Sequence, residues 1–450
     1  MKIKIPKDVK KILDTLYQNG YEAFIVGGCV RDSILGIEPN DWDIATSAKP
    51  DDIIRVFNNY KLIKIGQEHG TIGVHMNSVT YEVTTYRVDG DYSDSRHPDS
   101  VSFTDRIEDD LSRRDFTVNA MAYNDRVGLV DPFNGEIDLR YKALRCVGEP
   151  DTRFDEDALR ILRAIRFASV YNFSIEGATS NSIMRKRLSL HNIAVERISS
   201  EFNKLLCGEN VNFILRRYKD VIAVFFPEIV SAFDCEQNTP HHNKTVWRHT
   251  TAAVSAVENT LLLRMVMFLH DIGKPLALRT DSNGRDHFKG HNHFSAVLAK
   301  NSLERLHYPS KFIEDVVTLI EYHDVRFSDN RKQIKHVLNK IGTENFENLM
   351  KIQRADISAQ SKYMREQKLL NLSTAERVYR EIIESGECYS LKTLAITGSD
   401  LIHLGVNEGK YIGRILEFLL DSVINGELDN DNVELKKSAL EMYNEITADS

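Results

Sequence analysis

Residues 22–46 read EAFIVGGCVRDSILGIEPNDWDIAT and decide the fold of the N-terminal region. The apolar run AFIV ends at two glycines, which is typical of a short buried strand that stops at a sharp turn. The following CVRDSILG predicts a short helix, and DWDIAT predicts a second strand. A strand, a glycine turn, a helix and another strand indicate a domain that mixes α and β structure.

The segments downstream extend this mixed pattern and then become helical. PDDIIRVFNNY predicts a helix that starts at Pro50, and the β-rich runs KLIKIG, TIGVHM and VTYEVTTYR predict an antiparallel meander. From Asp155 onward the apolar spacing is helical nearly to the end. We therefore predict an α+β head, a small sheet with helices, followed by all-α domains. The expected boundaries are a head at 1–145, a helical neck at 146–230, a histidine-rich helical domain at 231–360 and a helical tail at 361–450.

The composition is that of a globular protein with several domains. A chain of 450 residues exceeds the size at which one hydrophobic core keeps growing. The longest apolar run, TLLLRMVMFLH, contains Arg264 and is too short to cross a bilayer, and the N-terminus lacks an apolar secretion signal. Five cysteines without a CxxC pair fit a reducing compartment. We expect a cytoplasmic protein with no membrane partner, and the sequence leaves its oligomeric state open.

Charge is distributed unevenly along the chain. The formal net charge of -8 argues against nucleic acid as a partner, because phosphate binding requires a positive surface. Arginines and lysines nevertheless gather between residues 113 and 166. A local basic surface that contacts phosphates is therefore compatible with the acidic total.

Asp41 and Asp43 are the first candidates for a chemical role. On a strand their side chains emerge on the same side, roughly 7 Å apart along the backbone, and can converge on one hard cation. Gly27 and Gly28 let backbone N–H groups approach a phosphate, and Glu82 in VTYEVTTYR is a candidate third carboxylate. Two solvated aspartates on an exposed strand are the simpler alternative. The combination favours Mg²⁺-assisted phosphoryl or nucleotidyl transfer, with these three acids as catalytic residues.

The chain strongly resembles the bacterial class II tRNA nucleotidyltransferases, the CCA-adding enzymes and their poly(A) polymerase relatives, in five motifs that occur in order: GGCVRD, DWDIAT, EVTTYR, RRDFTVNAMAY and DEDALRILRAIRFA. The resemblance implies a polymerase-β-like nucleotidyltransferase head in which Asp41 and Asp43 hold Mg²⁺. It implies two-metal addition of CCA to the tRNA 3′ end from CTP and ATP, without a nucleic-acid template. The family's nucleotide-binding residues correspond here to Gly27, Gly28 and Arg31 in a triphosphate turn and to Arg113, Arg114, Asp115 and Asn119 in a triphosphate and ribose motif.

The segment DEDALRILRAIRFA predicts an amphipathic helix at 155–168 that carries a base-reading pair. Asp157 and Arg160 are spaced as neighbours on a helix surface, and a plain salt bridge of Arg160 with Glu156 is the simpler interpretation. Cytosine and adenine both present an amino donor beside a ring-nitrogen acceptor, which a carboxylate beside a guanidinium complements. Uracil and guanine present the opposite pattern and would leave buried groups unpaired. The resemblance assigns this role to the EDxxR motif, here Asp157 and Arg160.

Two further segments distinguish among the relatives. Poly(A) polymerases of this class carry a basic run where this chain has IGQEHGTIGV, so it resembles a tRNA-end enzyme instead. Relatives that add only CC lack the flexible polar loop that this chain has at 89–103, with Asp91, Asp94 and Arg96. The alternatives that stay open are an enzyme that adds only the terminal A and a poly(A) polymerase. A lower-ranked alternative is an HD phosphohydrolase with a non-catalytic head that binds nucleotide or RNA.

The histidine-rich region supplies a second candidate site. His249, the dipeptide His270-Asp271 and Asp356 combine imidazoles and carboxylates, which suit Mg²⁺ or a transition metal. With the segments HDIGK, GHNH and EYHD, this region resembles the HD-domain phosphohydrolases. The resemblance implies Ni²⁺ or Mn²⁺ as candidate metals, His291 and His323 as additional ligands, and hydrolysis of phosphorylated or cyclic-phosphate RNA ends. A structural copy without activity is the alternative.

Overall fold

The computed structural model describes residues 2–64, 66, 69–90, 100–407 and 409–448. The chain forms two compact units, Met1–Val230 and Ser231–Ser450. A finer division into four domains stays a prediction. Asp91, Asp94 and Arg96, which we expected in a polar loop, lie outside the described residues.

The described part of the first unit contains these β-strands: β1 (Ala23–Val26), β2 (Ile44–Thr46), β3 (Lys61–Ile63), β4 (Thr71–Met76), β5 (Val79–Thr85), β6 (Arg87–Asp89), β7 (Val101–Phe103), β8 (Ala122–Asn124), β9 (Gly128–Val130), β10 (Ala143–Leu144) and β11 (Ser174–Ile175). Seven of them form one sheet in the order β3-β4-β5-β2-β1-β8-β9. In this sheet β2 and β5 pair in parallel and the other pairs are antiparallel. The predicted antiparallel meander is therefore confirmed as β3, β4 and β5.

Helices surround this sheet and then continue alone. They are α1 (Lys7–Gln18), α2 (Gly28–Leu35), α3 (Pro50–Val56), α4 (Ile107–Ser112), α5 (Gly135–Arg140), α6 (Pro150–Glu156), α7 (Leu159–Val170), α8 (Gly177–Lys186), α9 (Val195–Leu206), α10 (Val211–Arg217) and α11 (Lys219–Ile222). Short 3₁₀ segments occupy 117–119, 187–192 and 227–232. Pro50 is the first residue of α3, as its fixed φ and missing N–H favour.

β1 is an interior strand of the seven-stranded sheet, and all four of its residues are buried. One part of the core around it contains Phe24, Val26 and Tyr86, with Leu111 from α4. α1 buries residues at helical spacing, Val9, Ile12, Leu13 and Leu16, which forms its apolar face. This packing holds the β1–α2 turn and the start of β2 at one end of the sheet.

The second unit is almost entirely helical. It contains α12 (Val246–Ala256), α13 (Leu261–Leu269), α14 (Lys274–Ala277), β12 (Arg279–Thr280), β13 (Asp286–His287), α15 (His291–Arg305), α16 (Ser310–Tyr322), α17 (Arg331–Ala359), α18 (Arg365–Glu384), α19 (Gly398–His403), α20 (Lys410–Asn425) and α21 (Asn432–Ala448). α17 is interrupted at Gly342, whose φ is 78°. The expected class, an α+β head followed by helical domains, is confirmed.

The last segment of the second unit has a hydrophobic cluster of its own. Leu401, Ile415, Leu419 and Leu435, from α19, α20 and α21, are buried in it. These positions follow the 3.6-residue helical period in the tail sequence. Among the described residues, no helix has both the length and the apolar character needed to cross a bilayer.

Candidate active site and metal centre

The glycine turn after β1 admits an arginine close to the backbone. Gly27 has a φ of 74°, which side chains rarely adopt, and its N–H donates to the Met121 carbonyl at 3.1 Å. A Cβ on Gly27 would lie 2.8 Å from Nη1 of Arg114. Gly28 begins α2, so its N–H has no partner within the helix. Both glycines line a cleft that also contains Arg114, as expected for a site that receives an anion.

Arg31 is held rigidly at this turn. Its Nη1 donates to Oδ1 of Asn119 at 2.5 Å, and its Nη2 donates to the Tyr171 hydroxyl at 2.7 Å. The guanidinium also lies 4.6 Å from the Tyr171 ring centroid and 2.8 Å from Oδ1 of Asp32. The predicted residues Arg31 and Asn119 are thus brought together, and Tyr171 is a positioning residue that the sequence analysis missed.

Arg113 and Arg114 share one buried carboxylate, that of Asp110. Asp110 Oδ1 lies 2.8 Å from Nη2 of Arg113, and Oδ2 lies 3.1 Å from Nη2 of Arg114. Burial alone would raise the pKa of Asp110, but the two guanidinium groups lower it below its usual value. Asp110 therefore stays ionised and fixes both arginines at the cleft. Asp110 precedes Arg113 by three residues and Arg114 by four, and this helical spacing was the signal in the sequence that could have identified it.

Asp115 is also buried, and its charge is balanced by Arg163 on α7. Its Oδ2 lies 2.6 Å from Nη2 of Arg163, and its Oδ1 accepts from Nδ2 of Asn119 at 3.0 Å. Burial favours the neutral acid, yet Arg163 and Asn119 together lower the pKa of Asp115 to about 2. Asp115 therefore anchors Arg163 and Asn119, and Arg163 was not among the predicted site residues.

The strand after the glycine turn begins later than the sequence predicts. β2 starts at Ile44, so Asp41 and Asp43 precede the strand instead of lying in it. Pairing nevertheless extends one residue further back, because the Val26 N–H donates to the Asp43 carbonyl at 3.0 Å. Desolvation by the surrounding protein raises the pKa of Asp43; Arg114 opposes this shift and Asp41 adds to it. The two aspartates are close enough to repel each other, and Asp43 lines the cleft.

Glu82 is next to Asp43 in the register of the sheet. Ile44 lies opposite Val83 in the parallel β2–β5 pair, so Asp43 and Glu82 occupy the preceding positions on the opposite face. The described His, Cys, Asp and Glu groups whose ligand atoms all lie within 4.8 Å of one another do not include Asp41, Asp43 or Glu82. Glu82 thus shares a sheet face with Asp43, and its role as a metal ligand stays a prediction.

The prediction of one continuous helix at 155–168 is wrong, because the helix is interrupted at Asp157, the candidate base-reading residue. α6 ends at Glu156 and α7 begins at Leu159, and Asp157 between them has an extended backbone with φ of -145° and ψ of 103°. The Leu159 N–H donates to Oδ1 of Asp157 at 3.0 Å. The carboxylate satisfies a free N–H at the start of α7 in this way, which explains why the chain breaks into two helices at this point.

Asp157 and Arg160 both line the cleft, but each is oriented by another residue. Oδ2 of Asp157 lies 3.3 Å from Nη2 of Arg197 on α9. Nη1 of Arg160 lies 2.5 Å from Oε2 of Glu156, and its Nη2 donates to the Arg113 carbonyl at 3.2 Å. The simpler interpretation, a salt bridge between Glu156 and Arg160, is therefore confirmed, and it holds Arg160 in place.

The cleft as a whole is basic and has a volume of about 480 Å³. Arginines dominate its walls over the acids Asp43, Asp115 and Asp157, and they are Arg31, Arg113, Arg114, Arg160, Arg163, Arg166 and Arg197. Arg160, Arg163 and Arg166 repeat every third residue of α7, a spacing that could have identified them. Arg197 had no such signal, because it reaches the cleft from a distant helix.

The second unit gathers the six predicted histidines and aspartates into one buried cluster. His249 lies on α12 and Asp356 on α17, while His291 is the first residue of α15. His270 follows the last residue of α13 and His323 follows the last residue of α16, so the His-Asp dipeptide lies just beyond a helix and not on it. All six side chains are buried. We call them the histidine and aspartate cluster.

Asp271 lies between two sets of histidines. Its Oδ2 is 3.5 Å from Nε2 of His249 and 3.2 Å from Nε2 of His270. Its Oδ1 is 3.3 Å from Nε2 of His291 and 3.8 Å from Nε2 of His323. The structure thus contains two ligand groups that share one carboxylate.

Asp356 and Lys274 complete the surroundings of the first group. Oδ1 of Asp356 lies 2.9 Å from Nε2 of His249 and 3.9 Å from Nε2 of His270. Nζ of Lys274, a residue outside the predicted set, lies 2.7 Å from Oδ2 of Asp271. Burial alone would raise the pKa of Asp271, but His270 and Lys274 hold it well below the usual range. Both aspartates of the cluster are therefore anionic, since the pKa of Asp356 is also lowered.

The orientation of the imidazoles suits a cation. Nδ1 of His270, His291 and His323 faces the carbonyls of Met267, Phe288 and Ile320 at 2.8, 2.9 and 2.6 Å. A carbonyl only accepts, so Nδ1 carries a proton, and in the neutral form of each ring Nε2 would present a lone pair to the cluster. Nε2 of His291 lies only 3.1 Å from Nε2 of His323. Converging lone pairs beside anionic carboxylates are the donor set of a metal centre.

Comparison with known families divides the chain into matched regions. Residues 23–145 match the poly A polymerase head domain, and residues 172–233 match the probable RNA and SrmB-binding site of polymerase A. The CCA-adding enzyme of Oceanobacillus iheyensis is 47% identical over 201 residues, which are 45% of this chain and 50% of the relative. The N-terminal half of the chain is therefore similar to CCA-adding enzymes, and its residues 23–145 match the poly A polymerase head.

Other relatives of this family agree with that extent. The CCA-adding enzyme of Ligilactobacillus salivarius is 44% identical over 219 residues, 48% of this chain and 54% of the relative. The chain therefore spans about half the length of the curated relatives that it matches. Residues 292–439 match a further model, tRNA nucleotidyltransferase domain 2, putative. The resemblance of the second unit to HD phosphohydrolases stays a prediction.

Solved structures of the family extend the likeness in fold to nearly the whole chain. The Bacillus stearothermophilus CCA-adding enzyme in complex with CTP has a TM-score of 0.72 and 26% identity, and the match covers 98% of both chains. The Thermotoga maritima CCA-adding enzyme complexed with tRNA has a TM-score of 0.61 and 21% identity, over 98% of this chain and 100% of the other. The second likeness is one of fold alone.

Proposed function

We propose that this protein is a CCA-adding tRNA nucleotidyltransferase that extends the tRNA 3′ end from CTP and ATP without a nucleic-acid template. The observation that carries the proposal is that one basic cleft contains the glycine turn together with Asp43, Asp157 and Arg160. A site for a nucleoside triphosphate needs cations for phosphates and a polar pair for a base, and this cleft supplies both. Relatives named as CCA-adding enzymes support the same substrates.

Asp41 and Asp43 are the residues that would hold Mg²⁺. Desolvation and the nearby Asp41 raise the pKa of Asp43 and Arg114 opposes the shift, so this pair of aspartates favours a hard divalent cation in its neighbourhood. Bound there, a pair of such ions would stabilise charge on the attacking and leaving oxygens of nucleotidyl transfer. Glu82 is the candidate third acid, because its position on β5 adjoins that of Asp43.

The protein's own residues would bind and orient the triphosphate. Arg113 and Arg114, aligned by Asp110, and Arg31, aligned by Tyr171, present fixed guanidinium groups to phosphate oxygens. Fixed donors need no reorganisation as negative charge moves to the pyrophosphate leaving group. The turn adds the backbone N–H of Gly28, while a side chain on Gly27 would lie too close to Arg114.

Asp157 and Arg160 would read the base. A carboxylate has about four acceptor sites and a guanidinium five donors, so the contacts with Arg197 and Glu156 leave part of each group free. The free acceptor faces an amino group of cytosine or adenine, and the free donor faces the adjacent ring nitrogen. Uracil and guanine would place an acceptor against the carboxylate and a donor against the guanidinium. Both hydrogen bonds to the base would then be lost, and the polar groups would stay unpaired. Arg197 and Glu156 act as positioning residues for this pair.

Incubation with tRNA that lacks all three terminal nucleotides tests the proposal. Purified protein should incorporate labelled CTP twice and then ATP once. An enzyme that adds only A would extend tRNA ending in CC and leave the shorter tRNA unchanged. A poly(A) polymerase would add long tails of A. Either outcome would replace the CCA assignment with the corresponding alternative.

We further propose a metal-dependent phosphohydrolase centre in the second unit. His249, His270, Asp271 and Asp356 would form one part of the centre, and His291 and His323 would join Asp271 in the other. Ni²⁺ or Mn²⁺ suits this imidazole and carboxylate set, and when bound it would supply an activated water for phosphoester hydrolysis. Hydrolysis of a 2′,3′-cyclic nucleotide that requires added metal and disappears in His270→Ala supports the proposal. Hydrolysis that survives in His270→Ala contradicts it.

We keep the cytoplasm as the proposed location. The described cysteines, all five of the chain, are free thiols, and burial raises the pKa of Cys29 and of Cys146 to about 12. Free, unreactive thiols are typical of a reducing compartment.

A further inference from the structure

The cleft above the histidine and aspartate cluster is bordered by cations that the cluster itself does not use. Its volume is about 440 Å³, within the range of pockets that enclose small ligands. Four lysines and arginines from separate segments line its outer part: Arg285, Lys289, Arg326 and Lys368. We call these four residues the cationic rim. Lys274 lies deeper, against Asp271.

The rim carries positive charge that the neighbouring acids do not balance. Among the described residues, no carboxylate forms an ion pair with Arg285, Lys289 or Lys368, and Arg326 pairs with Asp324. Of the other acids in the lining, Asp271 and Asp356 belong to the cluster, and Asp286 accepts from the Thr280 hydroxyl at 2.7 Å and from the Asn238 N–H at 2.9 Å. Since the protein as a whole is acidic, a local excess of cations indicates an anionic ligand.

Three of the rim cations, Lys368, Arg285 and Arg326, act on the same part of the wall. Burial lowers the pKa of Lys368, and Arg326 lowers it further. The pKa of His241, also in this wall, is lowered by burial and then by Lys368, Arg285 and Arg326. Proton affinities fall in this way where positive potential accumulates.

One side chain connects the rim to the cluster. Nζ of Lys368 donates to Oε1 of Gln360 at 2.6 Å, and Nε2 of Gln360 donates to Oδ2 of Asp356 at 2.8 Å. Lys368 is therefore separated from a cluster carboxylate by a single amide. An anion bound at the cluster would leave the rim free for a second anionic group on the same molecule.

We propose that the centre of the second unit prefers substrates that carry a second phosphate group, with one phosphate at the histidine and aspartate cluster and another at the cationic rim. The inference rests on the proposed metal centre. Free nucleotides with two or more phosphates and RNA ends with a terminal phosphate share this chemistry. The exposed side chain of Met364 and the half-buried ring of Phe288 in the same wall offer apolar contact for a nucleoside.

The visible spectrum of Co²⁺ bound to the full-length protein gives a test that does not depend on turnover. The part of the Co²⁺ absorption that His270→Ala removes reports the cluster and not the carboxylates of the head. Methylenediphosphonate, which has two phosphonates and is not hydrolysed, is titrated against methylphosphonate, which has one. In Arg285→Ala and Lys368→Ala, the half-saturating concentration of methylenediphosphonate should rise about tenfold, while that of methylphosphonate should change less than about twofold.

Lys300→Ala is the matched control, because Lys300 is an exposed lysine of α15 near Glu304, outside the cleft lining. It removes the same charge and should change neither titration. Unchanged methylenediphosphonate binding in the rim variants overturns the rim proposal alone, as does an equal rise for both ligands. A Co²⁺ spectrum that is absent, or that persists in His270→Ala, overturns the metal centre and the rim proposal with it.

Competition in the same assay separates the two sources of phosphate. Displacement of methylenediphosphonate by ADP at a lower concentration than by tRNA with a 3′-terminal phosphate supports free nucleotides as the ligands. The reverse order supports RNA ends. Failure of both to compete overturns the proposal.

Discussion

Three carboxylates of the head differ in proton affinity because desolvation and charged neighbours act on them differently. Asp110 and Asp115 each contact arginines and have a lowered pKa, whereas desolvation raises the pKa of Asp43, Asp41 adds to that shift and Arg114 opposes it. An acid that is paired with arginines holds the structure in place, and an acid with a raised pKa beside a second acid is a candidate site for a cation. The contrast distinguishes anchoring residues from the proposed metal ligands.

Asp115→Asn should destabilise the head in a pH-dependent way. The ordinary pKa of an aspartate, 3.8, falls to about 2 at Asp115 in the folded protein. A lowered folded-state pKa contributes stability that is present above pH 4 and lost as the pH falls towards 2. The ion pair should thus contribute about 2 kcal/mol at pH 7. Urea unfolding followed by Trp42 fluorescence in a Trp247→Phe background measures it, and a parent–variant difference independent of pH would contradict the prediction.

Asp43→Asn should abolish nucleotidyl transfer and leave the fold intact. The loss should exceed about a thousandfold, because removing a metal-holding carboxylate removes charge stabilisation at the reacting phosphate. Since the pKa of Asp43 is raised, activity of the parent should fall on acidification at a higher pH than an ordinary aspartate would cause. Labelled CTP incorporation measures both effects. Asp51→Asn, an exposed acid at the start of α3, is the control and should retain parent activity.

Asp157→Ala should reduce base selectivity more than it slows catalysis. The variant removes the acceptor for the amino group of cytosine and adenine, so incorporation of UTP and GTP relative to CTP should rise by about tenfold to a hundredfold. Single-nucleotide incorporation assays give the ratio of kcat/KM values. Arg197→Lys keeps a cation beside Asp157 and should keep most of the selectivity. Unchanged discrimination against UTP and GTP in Asp157→Ala would contradict the base-reading role.

At the scale of elements, close contact between a loop and a helix positions half of the proposed metal centre. Gly273 follows Asp271 and Ile272, and its N–H donates to the Ser295 hydroxyl of α15 at 2.9 Å. A Cβ on Gly273 would lie 2.4 Å from the Ser295 N and 2.8 Å from the His291 carbonyl. The absence of a side chain therefore lets α15 bring His291 to Asp271.

Gly273→Ala should weaken metal binding at the group of Asp271, His291 and His323. The new methyl must push α15 away, while His249, His270 and Asp356 lie on other elements. Metal content after dialysis, measured by plasma mass spectrometry, should fall to about half. The matched control is Gly413→Ala in α20, where a Cβ meets nothing within 4 Å. It should leave metal content unchanged and stabilise the tail by up to about 1 kcal/mol. Equal metal content in both variants would contradict the prediction.

At the scale of the whole molecule, the two centres lie in different compact units and should fail separately. His270→Ala should lose the proposed hydrolysis and keep CCA addition within about twofold, and Asp43→Asn should show the reverse. Both activities are assayed on each purified variant. Loss of both activities in either variant, with the fold intact by circular dichroism, would contradict the separation.

Affinity for tRNA should fall as salt rises, because the cleft is rich in arginine and phosphate contacts release counterions. Filter binding at increasing KCl concentrations gives the slope of log K against log salt.

Arg197→Ala should weaken base selection without changing that slope if Arg197 positions Asp157, as its contact with Asp157 indicates. A slope lowered by about one would show instead that Arg197 contacts a phosphate.

Local sequence was sufficient to predict the strand, turn and helix at 23–35 and the meander. Such features depend on neighbours a few positions apart, so their pattern is visible along the chain. The break between α6 and α7 was missed, because a side-chain contact of Asp157 with the Leu159 N–H outweighed the helical periodicity. Only three-dimensional packing joined Asp115 to Arg163, Asp157 to Arg197 and Asp271 to His323, since these contacts link distant segments that meet through burial of apolar surface.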